Sequence, residues 1–233
     1  MGPSKDKNLP QPTKGDHAHA LTKGVISAIP WVGGTVAELF GIVIAPPLVK
    51  RRDQWLETIA QRLSDLEGKV DGFKISALAM NEAFITAIMH ATAAAMKNHQ
   101  KEKLDALRNA VVNSALPSSP EADVQLIFLG WVDWMTPMHL GLLALLSDPA
   151  SWKYSVLPNE KPGVVGTTAN IIYLGFPALR AQGTIADKVM NDIANEGLVG
   201  GSTSHMVDGY MVMAPQVTEL GTQFLAFISE PKL

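Results

Sequence analysis

The chain has 233 residues, of which 47% are hydrophobic and 18% are charged, a composition typical of a globular protein with one large or two small domains. The net charge is −3, but it is unevenly distributed: residues 1–116 carry 14 Lys or Arg against 11 Asp or Glu, whereas residues 117–233 carry 5 against 11. The basic first half suits an anionic surface. There is no cysteine, which excludes a disulfide framework, a thiolate metal site and a cysteine nucleophile.

The first twenty residues are polar and rich in Pro, Gly and Lys, which predicts a flexible N-terminal arm over residues 1–20. They do not have the apolar run of a secretory signal peptide. We therefore expect a cytoplasmic protein, lying peripherally at the inner face of the membrane when it contacts lipid.

An apolar stretch follows from Val25 to Val49, with Glu38 as its single charge. Pro30 and the Pro46-Pro47 pair predict helix breaks on both sides, which leaves a helix of about 15 residues, or about 22 Å. The hydrocarbon core of a bilayer is about 30 Å thick, so a simple transmembrane helix is not expected. Three placements stay open: a buried core helix, an interfacial or re-entrant segment, and a seam between copies of the chain.

This stretch carries a small residue at every fourth position, namely Gly33, Ala37, Gly41 and Ala45. In a helix these four share one side, where a second backbone can approach closely, so we predict a surface for contact with a helix or a membrane. The three cations that follow directly are Lys50, Arg51 and Arg52. We predict that they anchor the segment at anionic lipid headgroups.

A helical bundle is predicted over the remainder of residues 21–116. Apolar residues at three- and four-residue spacing indicate a helix after the prolines, with Trp55, Ile59, Leu63 and Leu66 on one face. Asp71-Gly72 predicts a turn. Two more helices are predicted, one capped by Ser76 and ending near Asn98, and one over residues 100–116.

The segment Pro117-Ser118-Ser119-Pro120 cannot continue a helix, which predicts a boundary before a second unit over residues 117–233. The predicted elements of this unit are helices near residues 121–135, 137–147 and 168–174, a loop over residues 150–166, a helix capped by Thr184 and ended by Gly197, and a final helix that includes Phe224. Between the last two helices, Leu198-Val199 and Tyr210 to Met213 predict a two-stranded hairpin. Helices followed by a hairpin and a closing helix resemble a winged-helix domain.

The expected fold is therefore mainly α: an N-terminal apolar helix and helical bundle, followed by a winged-helix-like α+β unit with a small two-stranded hairpin. Within that unit, the candidate recognition helix over residues 185–196 carries one lysine against three acidic residues. Binding to nucleic acid phosphates needs several basic contacts in each module. Nucleic acid is therefore not the partner that we expect.

No combination of residues predicts a catalytic, metal or cofactor site. His17 and His19 have the spacing of a metal-binding pair, but no third ligand accompanies them. His139 is interpreted as a packed or surface residue, and the Ser and His residues of 202–205 lack an orienting acid. The glycine pairs of the chain lack the Lys-Ser/Thr ending of a phosphate-binding loop. We therefore expect no enzymatic activity.

Four short segments resemble bacterial abortive-infection proteins of the alpha type: Ile29-Pro30-Trp31-Val32-Gly33-Gly34, Asn81-Glu82-Ala83-Phe84, Thr136-Pro137-Met138-His139-Leu140 and Thr218-Glu219-Leu220-Gly221. The order of the predicted elements is similar as well, with an apolar N-terminal segment, a bundle and a winged-helix-like unit. The resemblance implies a role in phage defence, through partner sensing or membrane damage, and implies no catalytic residue.

Together these patterns predict a non-enzymatic interaction protein whose apolar N-terminal helix engages a membrane or a partner helix. The partners expected are another protein, a second copy of the chain, or a membrane that is contacted conditionally. The alternative is a soluble winged-helix regulator or adaptor in which residues 25–49 complete the core, and which acts through protein contacts or DNA. A signal received by the C-terminal unit would release the apolar helix under the first hypothesis only.

Overall fold

The computed structural model describes residues 45–156, 165–166, 168–200, 207–208 and 214–231. Within these ranges the chain is mainly helical, as the sequence predicts, and its ten α-helices are α1 (Ala45–Lys69), α2 (Ile75–Leu78), α3 (Glu82–Lys97), α4 (Lys101–Ser114), α5 (Ala122–Trp134), α6 (Pro137–Ser147), α7 (Pro149–Val156), α8 (Thr168–Gly175), α9 (Gly183–Asn195) and α10 (Glu219–Ile228). A 3₁₀ helix, Pro177–Ala181, precedes α9. The two-residue strands β1 (Val165–Gly166) and β2 (Val207–Asp208) pair in antiparallel orientation.

Helix α4 is central to the compact unit that the chain forms from Trp55 onward. It packs against α3, α5, α6 and α10. The side chains that it buries are mostly small or branched, including Ala106, Leu107, Ala110, Val111 and Val112. Helix α3 brings four buried alanines to the same core, which allows the two helix backbones to approach closely.

An aromatic cluster joins α5 to α10 beside this central helix. Phe128 and Trp131 of α5 lie with their ring centroids 5.3 Å apart, and both contact Phe224 of α10 at 5.4 Å. Helices from both sides of Pro117-Pro120 thus share one hydrophobic core. Pro117-Pro120 therefore connects two helices that belong to the same core.

Two buried asparagines of α4 hold the end of α10. The Asn109 side-chain amide donates a hydrogen bond to the carbonyl oxygen of Ile228 at 3.0 Å. The Asn113 amide donates to the carbonyl oxygens of Phe227 and Ser229 at 2.7 and 2.8 Å. The last carbonyl groups of a helix have no partner within the helix, so these bonds supply what the backbone of α10 lacks.

The helix that Pro46-Pro47 is predicted to end lies outside the described residues. Both prolines lie in the first turn of α1, which begins at Ala45. Proline is tolerated there, because the first backbone N–H groups of a helix have no acceptor within it. The same residue pair is compatible with the end of one helix and the start of the next, and the local pattern does not distinguish the two.

Three predicted helix boundaries differ from the observed ones. The helix expected from Ser76 to Asn98 is broken, because Asn81 caps α3 by accepting a hydrogen bond from the Phe84 backbone N–H at 3.1 Å. The first part of the segment expected as a loop after Asp148 is the helix α7. Helix α9 begins at Gly183, and no side chain caps it, so the capping box predicted at Thr184 is wrong.

The hairpin of the winged-helix-like unit is not supported. Val199 forms an isolated antiparallel bridge with Val217, next to a hydrogen bond from the Gly200 N–H to the Gln216 carbonyl oxygen at 2.9 Å. The partner strand that the sequence predicts, Tyr210 to Met213, lies outside the described residues. The observed bridge connects the end of α9 to the residue before the cap of α10.

Several local signals have the predicted outcome. Pro137 is the first residue of α6 and Thr136 is its N-cap. No cap is predicted for α10, and there the hydroxyl oxygen of Thr218 accepts a hydrogen bond from the Gly221 N–H at 3.0 Å. Gly72 and Gly197 both have positive φ, at 78° and 72°, which fits a turn and a helix end that favour glycine.

Candidate functional site

The first turns of α1 carry the predicted anchor residues on a regular helix. Lys50, Arg51 and Arg52 are all exposed, and they follow Leu48 and Val49, which are 37% and 51% exposed. Successive helical residues are about 100° apart around the axis, so the three cations spread over roughly 200° of the helix surface. We call residues 48–52 the α1 basic segment.

Arg52 of this segment forms an ion pair with the next residue, Asp53. The Arg52 guanidinium lies 3.2 Å from a carboxylate oxygen of Asp53, and both side chains are exposed. An exposed pair of this kind contributes about 0–1 kcal/mol and is screened by salt. The segment therefore has the composition that favours an anionic surface: exposed apolar side chains followed directly by cations.

The predicted contact surface lies almost wholly outside the residues that can be described. Gly33, Ala37 and Gly41 are in the part of the chain that the structure does not describe, and Ala45 enters only as the first residue of α1. The small-residue surface therefore stays a prediction. What the structure adds is that a helix continues directly from Ala45 into the cations.

In the described ranges, no single helix combines the length and the apolar composition needed to cross a bilayer. Helices α5 and α6 meet that criterion only as a pair bent by 118°. Their apolar side chains are largely part of the core, which accounts for their composition.

His139 lies in a polar cluster that is partly buried. It is buried, and its Nδ1 accepts a hydrogen bond from the Thr136 backbone N–H at 3.2 Å and lies 2.8 Å from the Thr136 hydroxyl. Its Nε2 lies 3.3 Å from a carboxylate oxygen of Asp192, and the Trp134 ring packs edge-on at 5.3 Å. The cluster links the start of α6 to α9.

The geometry of this cluster suits helix capping better than nucleophile activation. The Thr136 N–H occupies the lone pair of Nδ1, which leaves the ring proton on Nε2, facing Asp192. A general base needs that lone pair to accept the hydroxyl proton of a nucleophile. The interpretation of His139 as a packed residue agrees with these contacts, and its bond to Asp192, 53 residues away, has no local sequence signal.

Charged neighbours perturb Asp192. A hydrogen bond from Lys188 is the main cause that holds the pKa of Asp192 below its ordinary value of 3.8, and the bond to His139 acts in the same direction. Partial burial raises the pKa of Asp192, but the two hydrogen bonds outweigh this effect. Asp192 is therefore a carboxylate at neutral pH, which suits its role as acceptor for both partners.

Lys103 is a buried cation that sequence reasoning missed. Its Nζ donates a hydrogen bond to the Asp133 carbonyl oxygen at 2.7 Å, in the last turn of α5. Burial lowers the pKa of Lys103 below 10.5, although the Asp133 carboxylate favours the charged form. A cation near a helix C-terminus interacts favourably with the backbone dipoles, so the contacts assign Lys103 a structural role.

The described residues contain no group of three or more His, Asp or Glu side chains arranged to hold a metal ion. His17 and His19, the one metal-like pair in the sequence, lie outside those residues. Comparison with protein-family models, with curated proteins and with solved structures finds no match to this chain.

Proposed function

We propose that this protein is a non-enzymatic interaction protein whose N-terminal apolar stretch and α1 basic segment contact an anionic membrane surface. The observation that carries the proposal is the start of α1, where exposed Leu48 and Val49 stand directly before Lys50, Arg51 and Arg52. Interfacial segments combine apolar residues that enter the headgroup region with cations that remain at the phosphates. Residues 25–44, which precede this helix in the sequence, contain Glu38 as their single charge.

The contribution of the cations can be estimated. A basic residue close to an anionic membrane surface contributes about 1 kcal/mol at moderate ionic strength. Three such residues give about 3 kcal/mol, which corresponds to roughly a hundredfold change in partition coefficient. The pairing of Arg52 with Asp53 reduces the contribution of Arg52. We therefore expect the partition coefficient to fall by at least about thirtyfold when all three cations are neutralised.

A co-sedimentation assay of the full chain with vesicles tests the proposal. The variant Lys50→Gln/Arg51→Gln/Arg52→Gln is compared with the wild-type protein on vesicles rich in phosphatidylglycerol and on neutral phosphatidylcholine vesicles. The matched control, Lys69→Gln/Lys74→Gln/Arg180→Gln, removes three exposed cations from other parts of the chain. We expect loss of binding to the anionic vesicles for the first variant alone, and weaker wild-type binding at higher salt.

Equal binding of the two triple variants, or absence of binding by the wild-type protein, would contradict the membrane proposal. The second result would favour the alternative that the sequence left open, a soluble adaptor in which residues 25–49 complete the core. Sedimentation equilibrium on the same samples would detect a seam between copies of the chain.

We further propose that the contact serves phage defence, which the resemblance to abortive-infection proteins of the alpha type supports. Under this proposal the C-terminal residues, including α9 and α10, receive a signal from a protein partner. Plaque formation on cells with and without the gene measures protection. Loss of protection in the triple variant, with its stability unchanged, would link the defence role to the α1 basic segment.

A further inference from the structure

A groove with two arginines at its base lies between α1, α4 and the residues that follow α10. Its volume is about 570 Å³. The charged or titratable side chains that line it are Arg62, His99, Lys101, Asp105, Arg108 and Glu230. All of them belong to the unit that begins at Trp55. We call it the arginine groove.

Neighbouring side chains hold both guanidinium groups in place. Arg108 donates to an Asp105 carboxylate oxygen at 2.6 Å and to the Thr58 hydroxyl at 3.4 Å. Arg62 donates to the side-chain oxygen of Asn109 at 3.4 Å. Their side chains are 21% and 32% exposed, so each stem is largely packed while the charged end reaches the groove.

The helix positions place the two arginines side by side. Thr58 and Arg62 are four residues apart on α1 and therefore share one face, about 6 Å from each other. Their partners Arg108 and Asn109 are consecutive residues of α4. Each arginine thus bonds across the same cleft, which brings two planar donor groups to one groove, and planar donors of this kind match carboxylate and phosphate oxygens.

Glu230 supplies the carboxylate that pairs with Arg62 in the arginine groove. One of its oxygens accepts a hydrogen bond from Arg62 at 2.9 Å, but its side chain is 75% exposed. An ion pair with one side chain this exposed is weak and screened by salt, so a better acceptor can displace Glu230. Once Glu230 is displaced, the groove retains Arg62, Arg108 and Lys101 against one carboxylate, that of Asp105.

The start of α4 adds to the positive potential of the groove. Lys101 is the first residue of that helix, and its N-cap, Gln100, supplies no side-chain hydrogen bond to the first turn. Unpaired backbone N–H groups and the helix dipole favour an anion at this end. Asp105 remains bound to Lys101 and Arg108, whose hydrogen bonds together outweigh partial burial and hold the pKa of Asp105 below 3.8.

We propose that the arginine groove binds the phosphoryl group of a small soluble phosphate compound, and that Glu230 is the internal acceptor which this group displaces. A phosphate dianion offers more charge and more acceptor oxygens to Arg62 and Arg108 than a single carboxylate does. The groove is polar, with Leu104 as its only apolar lining residue among those described, so the rest of the compound is polar as well.

Titration calorimetry of the full chain with inorganic phosphate tests this inference. We expect saturable binding at low ionic strength, at least tenfold weaker in Arg62→Gln and unchanged in the control Arg180→Gln. Glu230→Gln should bind phosphate more tightly by severalfold, because the internal competitor is removed. A purely structural ion pair would not give that gain, and circular dichroism of each variant shows whether the fold is retained.

Three results would overturn the inference: no saturable binding of phosphate, unaltered binding in Arg62→Gln, or no gain in Glu230→Gln. A further arm separates a free compound from a lipid headgroup. Vesicles that contain phosphatidic acid are offered to the variant without the three cations of the α1 basic segment. Binding there that Arg62→Gln abolishes, in the absence of inorganic phosphate binding, would also contradict the assignment to a soluble compound.

Discussion

Replacement of Asn113 by alanine should destabilise the protein more than any exposed polar substitution. The side-chain amide has two N–H groups, and it makes two short hydrogen bonds, at 2.7 Å to the Phe227 carbonyl and 2.8 Å to the Ser229 carbonyl. A third carbonyl, that of Ala226, lies at 3.3 Å and shares the same donors. The substitution removes all of these contacts at once.

The expected loss of stability follows from the carbonyl groups that Asn113→Ala leaves without their hydrogen-bond donor. A net hydrogen bond contributes about 0.5–1.5 kcal/mol, and a buried polar group without a partner costs about 1–3 kcal/mol. Asn113 is 9% exposed, so water can satisfy the released carbonyls only in part. We therefore expect Asn113→Ala to lower the free energy of unfolding by about 2–4 kcal/mol.

Urea unfolding followed by far-ultraviolet circular dichroism measures this change, with Asn191→Ala as the control. Asn191 is exposed on α9, and its replacement should alter stability by less than about 0.5 kcal/mol. Hydrogen exchange should show the lost protection concentrated at the end of α10. A loss for Asn113→Ala no larger than the control would refute the idea that α4 caps α10.

Two further predictions concern close packing and pH. In Gly221→Ala the new Cβ would meet the backbone carbonyl of Leu198, so we expect the free energy of unfolding to fall by about 1–3 kcal/mol. Gly130 has open space around it within a helix, so Gly130→Ala should raise the free energy of unfolding by about 0.5–1 kcal/mol. Thermal unfolding of both variants checks these two expectations. The pKa of Asp192 lies below 3.8 in the folded protein, so the unfolded chain takes up a proton first as the pH falls, and this contribution to stability is lost in acid. Asp192→Asn should therefore be less stable at neutral pH and show a shallower decline between about pH 5 and pH 2, and an identical decline in both proteins would contradict this account.

Local chemistry explains which elements could be predicted. Thr136-Pro137 is a helix start that combines a residue favoured at the N-cap with a proline at the first helical position, so it can be recognised from the sequence. Pro46 and Pro149 are different. A proline is compatible with the first turn of a helix and also with the end of a preceding one, and only the surrounding packing decides which applies.

The groove and the His139 cluster could not be predicted, because their members are distant in the sequence. Arg62 and Glu230 are separated by 168 residues, and His139 and Asp192 by 53. Neither spacing corresponds to a local motif. The pairing of Val199 with Val217 has no local signal either, since it depends on where α10 begins and not on the strand propensity of nearby residues.

The two proposed sites use different cations, which makes their tests independent. The α1 basic segment depends on Lys50, Arg51 and Arg52, all exposed, so its binding should fall steeply with added salt. Arg62 and Arg108 are partly buried and already oriented, so screening affects the arginine groove less and geometry matters more. Replacing either arginine by lysine keeps the charge but removes the planar donor pair, so it should weaken phosphate binding while vesicle binding stays unchanged. Equal phosphate affinity in the lysine variants would mean that charge alone attracts the ligand.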